Sequence, residues 1–376
     1  MAGGALTPEQ RVAWLRLIRS ENVGPQTFRS LVNHFGGATA AIEGLPELAR
    51  RGGRRIRICG QAEAEDEIAE ATARGVRFVA LGETDYPPAL AAVEGAPPLL
   101  GVAGDAAVFR RSAVAIVGAR NASSAGRSFA KQLATELGGA GWLVVSGLAR
   151  GIDAAAHVAT IDSGTVAVLA GGLDCVYPPE HADLASRIVD EGALVSEMPM
   201  GWQPRGRDFP RRNRIIAGIA LGVVVVEAAV RSGSLITARL ATEIGREVMA
   251  APGSPLDPRC EGSNGLLRDG ATLITRSDHV IEALAPLIDR GPPPPAPISL
   301  AQAASAGFNS LAPGDDERGR ILELLGPSPA AVDELVRQSG SDPRTVQVVL
   351  LELELAGRIE RRPDGAVALK DSESWT

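Results

Sequence analysis

Residues 114–146 read VAIVGARNASSAGRSFAKQLATELGGAGWLVVS. Two apolar runs rich in β-branched residues, Val114–Gly118 and Trp142–Ser146, flank a stretch whose apolar residues recur at helical spacing. Strand, helix, strand within one crossover is the unit of a parallel sheet. The pattern continues downstream with TVAVLA (Thr165–Ala170), ALVSE (Ala193–Glu197), GVVVVEA (Gly222–Ala228) and EVMAAP (Glu247–Pro252). Between them lie helical patterns such as SLITARLATEIG. Strands that are apolar throughout are covered on both faces, so residues from about 114 to 284 are expected to form a doubly wound α/β domain.

The chain has 376 residues, of which 45% are hydrophobic, 22% charged and 3% aromatic, with a formal net charge of −7. Such a length supports two or three domains with their own cores. The acidic balance excludes a surface-wide basic field, so a polyanionic ligand needs a local patch. Cys59, Cys175 and Cys260 have unrelated spacings that give neither a disulfide framework nor a zinc motif, which fits a cytoplasmic protein. The opening MAGGALTPEQ lacks the basic and apolar regions of a signal peptide. No apolar run reaches the ~18 residues of a membrane span. Residues 290–317 carry a four-proline run and read as a linker, and TDYPP and GAPPLL mark a softer boundary near 84–112. The expected division is a helical segment 1–84, a central domain 85–289, the linker 290–317 and a C-terminal domain 318–376.

In a doubly wound sheet the strand-to-helix loops emerge at one carboxyl edge, where ligands bind. Five such loops are polar, glycine-rich or basic: 118–126, 146–153, 171–181, 197–214 and 227–234. They bring together Arg120, Arg150, Arg205, Arg207, Arg211, Arg212, Arg214 and Arg231. Residues 202–214 hold five arginines against one aspartate, a local +4 in a chain of −7. Ser123 or Ser124, Asp153, and Ser232 or Ser234 are candidate N-caps that leave positive helix ends on this edge. Together these features describe a phosphate site; for any one loop, capping alone is the alternative.

The first loop, GARNASSAG, departs from G-x-G-x-x-G, and no Walker-type G-x-x-x-x-G-K-[ST] occurs. Neither a dinucleotide nor a P-loop pocket is expected, and no cofactor or metal is assigned. A long arginine-rich edge suits a run of phosphates. Phe209 inside that segment, with Trp202 nearby, offers a ring for a base, the chemistry of single-stranded nucleic-acid binding. Burial under the loop is the alternative for Phe209.

Catalytic constellations are thin, and no catalytic residue is assigned. His34, His157, His181 and His279 are dispersed. Asp153 and His157 lie i, i+4 on one helix and read as a cap and a packed imidazole. Glu227, at a strand end, suits either acid–base work or neutralisation by Arg214 or Arg231, and the second is preferred. Arg211 and Arg212 are expected to face solvent, while Ile215, Ile216 and Ile219 show ordinary core periodicity.

The stretches AIVGARNASSAG, VVSGLARGIDAAAH, TVAVLAGGLDCVYPPEH, LVSEMPMG, FPRRNRIIAGIA, VVVEAAVRSGSLITARLATEIGREVMAAPGS and GSNGLLRDGATLI resemble the DNA-processing protein A (DprA/Smf) family of natural transformation. The resemblance implies an extended Rossmann-like domain that binds single-stranded DNA, dimerises and loads the recombinase RecA. It implies no catalytic step. A single-stranded-DNA-binding protein is a further partner on this reading. Carried over position by position, the DNA site comprises Arg120, Arg150, Phe209, Arg211, Arg212, Asn213 and Arg214. Ser232, Gly233, Ser234 and Thr237 support it.

The flanks resemble the family more loosely. ENVGPQTFRSLVNHFGG (21–37) is similar to a helix–hairpin–helix with Val23-Gly24-Pro25 as the hairpin. RRGGRRIRI (50–58) is basic but is followed by EAEDEIAE, and reads as an internally neutralised face. Residues from about 318 to 370 read as a winged helix with a hairpin turn at Pro363-Asp364-Gly365. Its third helix offers Arg344 and Gln347, then Glu352 and Glu354, whose charges are expected to repel phosphate and leave a protein-contact or structural role.

A second reading is enzymatic. The glycine-rich Rossmann-like sheet also resembles nucleoside-monophosphate phosphoribohydrolases with a P-G-G-x-G-T-x-x-E signature. The nearest stretch here, VRSGSLITARLA, lacks the Pro-Gly-Gly turn and the catalytic glutamate. Binding is favoured over hydrolysis.

Overall fold

All six apolar runs of the centre form strands. A computed structural model describes residues 5–290, 313–361 and 365–370. Nine strands make one sheet: β1 Val76–Ala80, β2 Leu99–Gly104, β3 Ala113–Gly118, β4 Leu143–Ser146, β5 Thr165–Val168, β6 Ala193–Ser196, β7 Gly222–Val226, β8 Glu247–Ala250 and β9 Thr272–Leu273. Their spatial order is β1-β2-β6-β5-β4-β3-β7-β8-β9. Pairings from β6 to β9 are parallel, and β2 runs antiparallel to both β1 and β6. The parallel strands β3 to β8 match the sequence reading, whereas the two-residue parallel strand β9 is not in it. The antiparallel pair does not appear in it, because β1 lies in the segment assigned to helices and β2 follows the prolines of GAPPLL.

The central strands β4 to β7 are buried at every residue. Helix Ser124–Gly139 covers β3, β4 and β7 with Leu133 and Leu137, which pack with Val114, Ile116, Val144, Ile152, Val224 and Met249. Each such side chain stabilises the fold by about 1.5–3 kcal/mol relative to exposure. From β3 the chain winds outward through β4, β5 and β6, then returns to β7 on the other side of β3 and winds outward again. The loops after β3 and β7 therefore diverge, and a crevice opens between them at the carboxyl edge. Gly118 ends β3 opposite Val226. A β-carbon there would lie 1.9 Å from the Val226 carbonyl oxygen, so only glycine lets the two strand ends approach.

The segment read as a loop through Arg214 is a loop only to Arg207. Helix Asp208–Ile219 begins there, with Asp208 in its first turn and Pro210 where the backbone N–H has no helical partner to lose. Ile215, Ile216 and Ile219 are core residues, at 0%, 1% and 3% exposure.

Among the described residues the chain divides into two compact units: residues 5 and 66–290, and residues 6–65, 313–361 and 365–370. In the second unit the N-terminal helices Pro8–Arg19, Pro25–Phe35 and Ala38–Arg51 join the winged-helix segment. Thr7 and Gln10 form a reciprocal capping box, and Gly24-Pro25 opens the second helix. Helices Asp315–Leu324, Val332–Ser339 and Pro343–Leu355 precede an antiparallel hairpin of Ile359–Arg361 and Val367–Leu369. Pro363 and Asp364 of the expected turn, and linker residues 291–312, lie outside the described residues.

The third winged-helix element is packed against the N-terminal helices. Asn22 donates to the Leu355 carbonyl at 2.8 Å, and the Thr27 hydroxyl donates to Glu354 at 2.9 Å. Glu352 is fully buried and pairs with Arg318 at 2.9 Å. The expectation of Glu352 as a phosphate-repelling surface charge is thus corrected: its residue lies on the inward face of an amphipathic helix. The basic run 50–58 is neutralised only in part by the acidic run that follows it: Arg57 pairs with Glu63, whereas Arg50 and Arg51 pair with Glu47 and Arg54 with Glu21, both upstream.

Candidate functional site

A cavity of about 550 Å³ occupies the crevice between the loops after β3 and β7. Eight of the eleven residues carried over line it: Arg120, Phe209, Arg212, Asn213, Ser232, Gly233, Ser234 and Thr237. Arg150 lies on a second, smaller hollow of about 40 Å³ that shares Arg120, Phe209 and Arg212 with the first. Phe209 therefore stands between two depressions. Arg120 places its guanidinium 5.1 Å from the ring centre and Arg212 6.0 Å, and the Tyr177 ring meets it edgewise at 5.6 Å. Phe209 is half-buried, so neither full burial nor a free platform describes it.

Helical geometry sorts FPRRNR onto two faces. Residues 209, 212, 213 and 216 share the cavity side at i, i+3, i+4 and i+7, while 211 and 214 fall on another side. On that side Glu197, 8% exposed, receives Arg211 at 2.9 Å and a close contact from Arg214, which also donates to the Gly95 carbonyl at 2.7 Å. Neither Arg211 nor Arg214 lines either depression.

Arg212 is 6% exposed, which corrects the expectation that it faces solvent. It donates to the carbonyl oxygens of Gly147 and Val168 and to Asn213 Oδ1, tying the loops after β4 and β5 to the helix. Burial lowers its pKa to about 10; nearby Asp153 opposes that drop and Arg120 adds to it. It remains a cation at neutral pH. Burial pushes Asp153 upward, and Arg212 followed by the amides of Ala149 and Gly147 pull it back. Burial first, then the charges of Arg212 and His181, lower His157 to about 3. His157 is a neutral imidazole whose Nδ1 meets the Thr165 hydroxyl at 2.9 Å.

Two of the expected anion-receptive ends are already occupied. Ser123 caps its helix through Gly126, and Glu227 then accepts from the Ser123 amide and hydroxyl. Glu227 is thus held by a helix N-terminus, where a carboxylate is favoured, rather than by Arg214 or Arg231. Asp153 is not the N-cap, which is Gly151, but sits in the first turn and accepts from the amides of Gly147 and Ala149. Ser232 caps helix Gly233–Glu243 through the Ser234 amide, and Asn213 donates to the Gly233 carbonyl at 3.3 Å.

The eight edge arginines therefore divide. Arg150 pairs with Glu180, Arg211 and Arg214 with Glu197, and Arg212 is buried beside Asp153. Arg120, Arg205, Arg207 and Arg231 are exposed and have no carboxylate within ion-pair distance among the described residues. Arg205 lies 5.0 Å from the Trp202 ring, whose indole N–H donates to Asp208 at 3.0 Å. Sequence reading missed Tyr177, Glu180 and the bridging role of Glu197. The available signal was that Tyr177 is one of two tyrosines and lies in a loop already placed on this edge. Among the described residues no His, Cys, Asp or Glu group fits a metal ion, and no helix is long and apolar enough to cross a membrane.

An arginine-lined crevice at the switch point of an extended Rossmann-like sheet, in a chain that also carries a unit of helices with a winged helix, defines a multidomain α/β protein with an anion-receptive edge. Residues 77–285 match the DNA recombination-mediator protein A family, 8–70 the DprA-like N-terminal HHH domain and 292–365 the DprA winged helix domain. The chain belongs to this DprA/Smf family. Protein Smf of Escherichia coli K12 is 39% identical over 293 residues, 76% of this chain and 75% of that protein. The X-ray structure of DNA processing protein A from Streptococcus pneumoniae superposes with a TM-score of 0.62 at 31% identity, over 75% of this chain and 99% of that one. DNA processing protein A of Helicobacter pylori, whose structure concerns its single-stranded DNA binding mode, gives 0.52 at 26% identity, over 57% of this chain and 96% of that one.

Proposed function

We propose that this protein binds single-stranded DNA along the carboxyl edge of its sheet, with little sequence preference, and acts as a recombination mediator that loads RecA during natural transformation. One observation carries the reading: the exposed Arg120 guanidinium lies 5.1 Å from the centre of the Phe209 ring, and both line the switch-point cavity. Cations for the backbone beside rings for the bases are what a single strand requires. Arg120 and Arg231, with Arg205 and Arg207 on the adjoining loop, supply exposed charge, and Arg150 joins them when phosphate replaces Glu180. Ser232, Gly233, Ser234 and Thr237 line the cavity wall. Arg212, Asn213 and Arg214 position the helix that carries Phe209, and Arg211 stands at its outer face. The reading assigns no catalytic step, cofactor or metal. It includes a homodimer in the cytoplasm, acting where a single-stranded-DNA-binding protein competes for the strand.

The experiment is a mobility-shift comparison of single-stranded DNA, duplex DNA and RNA, followed by RecA filament assembly on strands coated with single-stranded-DNA-binding protein. Preferential retardation of single strands and faster filament growth are expected. Equal affinity for duplex, or release of free base from nucleoside monophosphates, would defeat the proposal.

A further inference from the structure

We propose that Tyr177 is a stacking residue that forms, with Phe209, a two-ring ledge for successive bases of one strand; the proposal rests on the single-strand reading above. Among the described residues six large apolar side chains are strongly exposed, and Tyr177, at 48%, is the aromatic one. It lines the smaller hollow with Arg120, Arg150, Phe209 and Arg212. An exposed ring surrounded by guanidiniums matches no requirement of the core.

The loop holding this ring is braced on both sides. Asp174 accepts from the Gly201 amide at 2.9 Å, the Gly172 amide donates to the Trp202 carbonyl at 2.9 Å, and the His181 ring meets the Leu148 carbonyl at 2.8 Å. Tyr177 is thus presented by the loops after β4 and β6 at a set distance from Phe209. The Phe209 ring already carries the Arg120 guanidinium 5.1 Å from its centre. A base reaching Phe209 must displace that group, whereas Tyr177 is 48% exposed and no guanidinium is stacked on its ring among the described residues. A hollow of about 40 Å³ has room for about one water and cannot enclose a base. A base must therefore lie on the ring rather than within a pocket, which gives stacking without sequence readout.

The test uses the full chain with an oligothymidylate and with the same strand carrying single 2-aminopurine substitutions. Tyr177→Phe keeps the ring and is expected to bind as the wild type does. Tyr177→Leu keeps apolar bulk without the ring and is expected to bind roughly 5- to 100-fold more weakly, with unchanged melting. Quenching of 2-aminopurine on binding is expected for the wild type and Tyr177→Phe and is lost in Tyr177→Leu. Wild-type affinity and quenching in Tyr177→Leu would overturn the ledge while leaving the single-strand reading intact. No binding of single strands by the wild type would overturn both.

Discussion

Arg212 Nη1 donates to the Gly147 carbonyl oxygen at 2.6 Å, and a β-carbon on Gly147 would lie 2.3 Å from that same nitrogen. Any side chain at this glycine of the SGLARG loop would have to push aside the guanidinium of a helix residue 65 positions away. A buried cation holds two loops at the positions from which their side chains reach the crevice. The acidic surface of the molecule is interrupted at this edge by exposed guanidiniums that stand on a paired, buried layer.

Arg212→Met is expected to destabilise the sheet unit by about 3–5 kcal/mol, because Asp153 loses its cation and two carbonyls lose their donor. Chemical denaturation checks this. A variant as stable as the wild type would show that Arg212 is a surface ligand and not a tie. Loss of DNA binding in Arg212 variants therefore reports folding as well as contact.

Glu180→Gln is expected to tighten single-strand binding by about 2- to 5-fold at low salt, since it frees Arg150 from an exposed ion pair. Fluorescence anisotropy with a labelled oligonucleotide measures it, and weaker binding would place Glu180 among the groups that aid the ligand. The pair is exposed, so melting should be unchanged.

His157 makes stability fall on the acid side. Its folded pKa of about 3 lies below its ordinary 6.5, so between these values the unfolded chain holds a proton that the folded chain does not. Stability should decline as pH falls through this window, by up to about 1.4 kcal/mol per pH unit for this one group. His157→Gln should flatten that limb in denaturant titrations at pH 6.5, 5 and 4. An unchanged slope would mean that the imidazole is protonated in the fold.

Arg318→Ala leaves Glu352 charged and buried in the second unit, and about 3–5 kcal/mol of destabilisation is expected there. Limited proteolysis should then cut the N-terminal helices as well as the winged helix, because Asn22 and Thr27 hydrogen-bond to its third helix. Cleavage confined to the C-terminal segment would argue against a shared core.

The parallel sheet was legible because each of its buried strands is an uninterrupted apolar run, and the basic edge followed from topology. What periodicity could not reveal was which arginines are free. In FPRRNR the residues are neighbours in sequence, but a helix turns about 100° per residue, so Arg211 and Arg212 point to different surroundings. Whether a helix starts at Asp208 or after Arg214 decides that question, and element boundaries are the weakest part of a pattern reading. The partners of Glu197 and Glu227 were illegible for another reason. Both are strand-end carboxylates, and what each meets depends on loops from distant parts of the chain. β1 and β2 were hidden by the prolines and glycines around them.

The central claim is that exposed guanidiniums on this edge hold a single strand by its phosphates. The most direct measurement is an anisotropy titration of labelled oligothymidylate across salt, for the wild type and for Arg120→Ala with Arg231→Ala. With about four free arginines engaged, log affinity should fall against log salt with a slope near −3, and the double variant should bind more weakly with a slope shallower by about 1.4 while melting as the wild type does. A double variant with wild-type affinity and slope would contradict the account.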